Sequence, residues 1–133
     1  MRHRNGFTLI ELLIVIAVIG ILVTFAVPGY WGARQNALER QGDAMLRLIW
    51  GAERVRFLEQ NVYVACADTA ACNTALGLDL PATTYAYMVF QTDSGANFIA
   101  CAGPLGGSGV TRWGRIRLAG VVNWGVQPSA CGG

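Results

Sequence analysis

Glu11 is the first residue in this chain whose type and place call for chemistry. It is the only charged side chain among the 21 residues from Phe7 to Val27. A carboxylate at the centre of a membrane segment costs roughly 2.5–3.5 kcal/mol, and less toward an interface, so something should offset it. A second group is the set of four cysteines, Cys66, Cys72, Cys101 and Cys131. A third is Arg112, Arg115 and Arg117, with Trp113 and Trp124 close in sequence, a mixture able to hold DNA phosphates and stack on bases. The more ordinary use of such a cluster is a solvated or subunit-packing face.

Most catalytic chemistry is excluded by what is missing. The one histidine, His3, precedes the apolar run, so no serine or cysteine has a histidine base, and no pair of acids is available for acid–base work. All ten basic side chains are arginine and none is lysine, which rules out Schiff-base and isopeptide chemistry. Asp68, Asp79 and Asp93 stand apart rather than at the dense oxygen spacing of a calcium loop. The glycine-rich stretch Gly103–Gly109 lacks the lysine and the strand-to-helix setting of a phosphate cradle and reads as a connection. The expectation is a chain that is not an enzyme, with no catalytic residue, no metal and no cofactor.

Five residues separate Cys66 from Cys72 and twenty-nine separate Cys101 from Cys131, which matches neither a zinc site nor a redox CxxC. All four follow the apolar segment, outside the cytoplasm if that segment is an anchor, where disulfides form. Three pairings are open. Cys66–Cys72 with Cys101–Cys131 is favoured, because the first closes a local loop and the second ties down the tail. A loop as long as the second contributes roughly 3–4 kcal/mol.

These groups need elements to position them. Residues 1–6 carry Arg2, His3 and Arg4, and the positive-inside rule keeps such a segment in the cytoplasm. The apolar run behind it would span about 32 Å as an α-helix, enough to cross the hydrocarbon layer. The hydrophobic fraction of 53% is concentrated there, which leaves about a hundred residues for one small soluble head. Without residues 1–6, eight arginines balance eight acids, so net charge argues against strong attraction to nucleic acid or a membrane surface.

Pro28 removes a backbone donor and Gly29 adds freedom, which marks either a helix kink or the membrane exit. Beyond them, Leu38, Met45, Leu48, Ile49, Ala52 and Val55 recur as one helical face. Arg34, Glu39, Arg40, Asp43, Arg47, Glu53, Arg54 and Glu59 fall on the opposite, solvated face. One helix from Phe7 to about Gln60 would be about 80 Å long. Residues 64–83 read as a connecting loop with a short helical turn at Thr69–Leu76. Four strands are expected at Thr84–Gln91, Asn97–Ala102, Arg112–Leu118 and Val121–Val126, the last two joined by a turn at Ala119–Gly120.

The string Gly6, Phe7, Thr8, Leu9, Ile10, Glu11 resembles, residue for residue, the prepilin peptidase motif of type IV pilins and type II secretion pseudopilins. The resemblance implies cleavage between Gly6 and Phe7, N-methylation of the new Phe7 amine, and a requirement for Glu11 in assembly. It gives Glu11 its partner, the cationic amine of a neighbouring subunit's Phe7. The fold it implies is α+β and pilin-like: a long N-terminal helical spine, its first half transmembrane, packed on a small antiparallel sheet head. The divisions would be a leader at 1–6, a transmembrane and assembly helix at 7–29, and a head at 30–133 with a disulfide-bounded tail. Pro28 stands where the family commonly has a proline around which the helix unwinds in filaments.

As implied by the resemblance, the chain is a structural subunit of a type IV pilus serving adhesion, twitching motility or DNA uptake. It would sit in the inner membrane as a single-pass protein and then in an extracellular homo-oligomeric helical filament. Its partners would be the prepilin peptidase and the inner-membrane assembly machinery. Two alternatives are a secretion pseudopilin and a minor pilin binding DNA through Arg112, Arg115 and Arg117. Val27, Pro28, Gly29 and Tyr30 are closer in character to pilins than to the major pseudopilin.

Overall fold

A computed structural model describes residues 7–131, apart from the side chains of residues 26–28 and 130. Gly6, the leader arginines and His3 lie outside the described residues, as does the Pro28 side chain. The chain divides into two units, residues 1–36 and 37–133. One helix, α1 (Leu9–Gln60), contributes to both.

In the first unit every described side chain from Phe7 to Phe25 is exposed, including fourteen large apolar ones from Phe7, at 82%, through Phe25, at 80%. Apolar residues all round a helix belong in a protein core or a membrane, not in water. No single helix among the described residues is long and apolar enough to cross a membrane. The segments Leu9–Phe25 and Gly29–Gln60 meet that requirement of length and composition only together.

The second unit is a sheet laid on the later part of α1. After α1 comes α2 (Thr69–Leu76), then strands β1 (Tyr85–Thr92), β2 (Asn97–Pro104), β3 (Trp113–Arg117) and β4 (Val122–Gly125). The strands pair antiparallel in the order β1-β2-β3-β4, the meander that short connections produce. Strand alternation sets the two faces. Tyr85, Tyr87 and Val89 of β1, Phe98, Ala100 and Ala102 of β2, and Gly114 and Ile116 of β3 are buried against the helix residues Leu46 and Ile49. Local chemistry closes the ends. Asp68 Oδ1 accepts from the Ala71 N–H at 2.8 Å and caps α2, and Gly77 ends it at φ 64°.

The helix turns inward a face that only partly matches its hydrophobic pattern: Ile49 is in the core and Leu38 and Met45 pack against it, as expected. Leu48 and Val55 are exposed, whereas Leu46, Ile49 and Glu53 are wholly buried and Trp50 packs beside them. Small residues decide this. The Trp124 indole fills the space beside Gly42 on α1 and Gly114 on β3, where an added Cβ would come within 2.5 and 2.8 Å of its ring. The sheet therefore docks along Gly42, Leu46, Ile49 and Glu53, a row at helical steps of three and four.

Candidate assembly site

Thr8 and Glu11 form a reciprocal cap at the start of α1. Glu11 Oε2 accepts from the Thr8 N–H at 2.9 Å and from the Thr8 hydroxyl at 2.8 Å, and Thr8 Oγ1 accepts from the Glu11 N–H at 3.3 Å. This is a capping box, in which each side chain satisfies a backbone donor that a helix start leaves open. Its signal, threonine followed three residues later by glutamate, is present in the sequence, so the lone acid of the apolar run is also a helix cap. Both bonds fall on Oε2. Among the described residues Oε1 has no partner, so the carboxylate keeps an open acceptor.

The head also carries an exposed apolar row on α1. Ala44, Leu48, Val55 and Leu58 are exposed, with half-buried Gly51 between them, and they recur at steps of four, three, four and three. That alternation has the spacing of a helix-packing seam. No side chain stands within 4 Å of a Cβ added at Gly51, so a neighbouring helix has room to come close there.

The four cysteines are joined as Cys66–Cys72 and Cys101–Cys131, with Cα separations of 5.1 and 5.8 Å. The first fastens the loop before α2, whose Cys66 also exchanges backbone hydrogen bonds with Val89 of β1. The second fixes the tail to the outer face of β2.

The three arginines are not brought together as one patch. Arg112 lies before β3, where Nη1 donates to both Glu39 oxygens at 3.0 Å and Nη2 donates to the Trp124 carbonyl at 3.1 Å. It clasps α1 to β4. Arg115 and Arg117 share the outer face of β3, and neither makes a hydrogen bond or ion pair among the described residues. Pro28 and Gly29 fall within α1.

Glu53, expected on a solvated face, is wholly buried. Its Oε2 accepts from the Val64 N–H at 3.0 Å, tying the end of α1 to the chain that leaves it, while among the described residues Oε1 has no partner. Burial pushes the carboxyl above its usual value, against the opposing pull of the Val64 bond and of Arg56. Tyr85 and Tyr87 are likewise pushed up to about 12 by burial, Tyr85 with help from Glu39.

A family model described as the prokaryotic N-terminal methylation motif matches residues 1–27. The type IV wide pilus major component of Thermus thermophilus is 32% identical over 81% of this chain and 79% of its own length. The chain belongs to the type IV pilin family. The type IV major pilin protein of Myxococcus xanthus is 36% identical over 46% of this pilin, a match that spans 28% of that relative. The type II secretion system core protein G of Vibrio cholerae is 32% identical over 47% of this pilin and 43% of itself. No solved structure matches. The α+β fold, with its long N-terminal helix and four-stranded antiparallel sheet, is that expected of a pilin. The chain is thus a structural pilus subunit with a prepilin processing motif.

Proposed function

We propose that this pilin is made as a membrane-anchored precursor, cut between Gly6 and Phe7, methylated on the Phe7 amine and polymerised through residues 7–25 into a type IV pilus. The observation that carries this reading is the exposure of every described side chain from Phe7 to Phe25 around one carboxylate with an oxygen unpartnered among the described residues. Such a surface is stable only in lipid or against other copies of itself. The Phe7 amine of a neighbour supplies the charge that Glu11 needs once both are withdrawn from water. Residues 7–29 then serve as the membrane span before assembly, with Pro28 and Gly29 as the point where the helix yields. The seam of Ala44, Leu48, Gly51, Val55 and Leu58 extends the packing surface into the head.

The test replaces Glu11 with alanine. We expect the precursor to insert and be cut, and filaments to be lost, as seen by electron microscopy and by mass spectrometry of the Phe7 N-terminus. Normal piliation in that variant would sink the reading.

The relative from a type II secretion system supports a second reading, a pseudopilin. Deleting the chain separates the two: loss of surface filaments marks the pilus, and loss of exoprotein release with pili intact marks the secretion system. DNA uptake through the head would rest on Arg115 and Arg117, since Arg112 is engaged by Glu39. Unchanged DNA retention after both are replaced with alanine would remove it.

A further inference from the structure

The outer face of the sheet holds a cleft that neither the core nor the assembly helix uses. It encloses about 290 Å³ between the end strands and the returning tail, with Trp113, Arg115 and Asn123 on its floor and Val126 and Pro128 on its wall. The strand register places its floor. Arg115 stands directly beside Asn123 of β4, and Trp113 beside Gly125, which has no side chain to fill the space. Cross-strand neighbours lie about 5 Å apart at their Cβ atoms, so the guanidinium and the amide reach the same ligand. The Cys101–Cys131 disulfide anchors the tail to the residue that faces Arg115 on its other side, and so holds the wall in place.

Two features show that the floor is built. Trp113 packs over β2 because residue 103 is glycine: a Cβ there would come within 2.6 Å of the indole. Arg115 is half-buried yet donates to nothing among the described residues, in contrast to Arg112 three positions earlier. A guanidinium carries five N–H donors, and no acid lines the cleft to receive them.

We infer that this cleft binds a carboxylate-bearing saccharide, a uronic acid unit, with its carboxylate on Arg115, its hydroxyls on the Asn123 amide and an apolar ring face on Trp113. The guanidinium fork matches a carboxylate in a bidentate pair, which fixes the sugar's orientation. The amide both donates and accepts, as a ring hydroxyl does. The volume suits a sugar ring rather than a continuous polymer backbone. Single-stranded nucleic acid calls for a basic groove that follows several phosphates, and this cleft offers one cation on a head of balanced charge.

The test titrates the full-length chain in detergent with trigalacturonate, with neutral galactotriose of equal length and with a short oligodeoxynucleotide, following tryptophan fluorescence and calorimetric heat. We expect saturable binding of trigalacturonate, at least about tenfold weaker binding of the neutral sugar, and a similar loss in Arg115→Gln, the size of one charge-assisted bond. Gly103→Ala should weaken binding by lifting Trp113, and Arg117→Gln, outside the cleft, should leave it unchanged. Circular dichroism checks the fold of each variant. If Arg115→Gln does not fold, the exposed Asn123→Ala takes its place, again with weaker binding expected. Equal binding of the neutral sugar, binding of the oligonucleotide alone, no saturable binding, or unchanged affinity in a folded cleft variant each overturns the proposal.

Discussion

Residues 7–25 and residues 37–131 solve the same physical problem in opposite ways. The first region is almost wholly apolar and buries nothing within the chain, with Leu9 at 87% and Ile10 at 67% exposure. The second is more polar in composition and buries Leu46, Ile49, Tyr85 and Ile116 completely. Apolar area contributes on the order of 25 cal/mol per Å² only when it leaves water. The second region collects that contribution from its own chain on folding, and under the proposed function the first collects it from lipid or other copies on insertion and assembly. Even their carboxylates follow the contrast. Glu53 has its backbone partner inside the head, whereas Glu11 has only its local cap among the described residues.

If the regions are independent in this sense, substitutions in one should leave the other's readout unmoved. The largest effect is expected from Glu11→Ala. Stranding one charge of a buried pair costs about 3–5 kcal/mol per contact, enough to abolish filaments while the thermal midpoint of the head stays where it was. A lowered midpoint would break the comparison. Removing the tail disulfide with Cys101→Ser and Cys131→Ser should cost the head roughly 3–4 kcal/mol in urea unfolding, without affecting membrane insertion. Next comes Gly114→Ala, which forces a Cβ within 2.8 Å of the Trp124 ring and 3.0 Å of Leu46, and should cost about 1–3 kcal/mol.

A pH series sharpens the contrast between the two carboxylates. Burial raises the Glu53 value above the ordinary 4.5, so the folded head holds that proton more firmly than the unfolded chain does. Its contribution is therefore fully present below the ordinary value and is lost as pH rises through the raised one. Glu53→Gln has no such proton to lose. The variant should gain on the wild type in unfolding midpoint as pH climbs from acid to neutral, and a constant difference would contradict the assignment. The smallest effect is expected from Arg112→Gln. Its side chain is 47% exposed, so loosening the clasp on Glu39 should cost well under 1 kcal/mol in the same unfolding assay.

Much of the fold was legible because its signals are local. The helical turn at Thr69–Leu76 is α2 itself, and the expected strands match β1 to β4 to within two residues at their ends. The apolar run, the lone acid and the turn at Gly120, with φ 76°, follow from residue type and spacing alone. The inward face of α1 was legible only in part: Leu38, Met45 and Ile49 follow the pattern, but hydrophobic periodicity also ranks Leu48 and Val55 above a glycine and a glutamate. Gly42 is inside because Trp124, 82 positions away, needs its missing side chain, and Glu53 because Val64 needs an acceptor.

The arginines make the same point. Arg112, Arg115 and Arg117 are one cluster as text, and strand alternation could pair the last two. Only the packed chain could show that Glu39 claims the first and that a tail held by Cys131 builds a cleft over the second. The sequence by itself determined which segment must leave water and where the carboxylate within it lies, because insertion and processing read contiguous residues. Tertiary structure alone decided which side chains share a site, because burial and pairing depend on what distant parts of the chain bring to the same place.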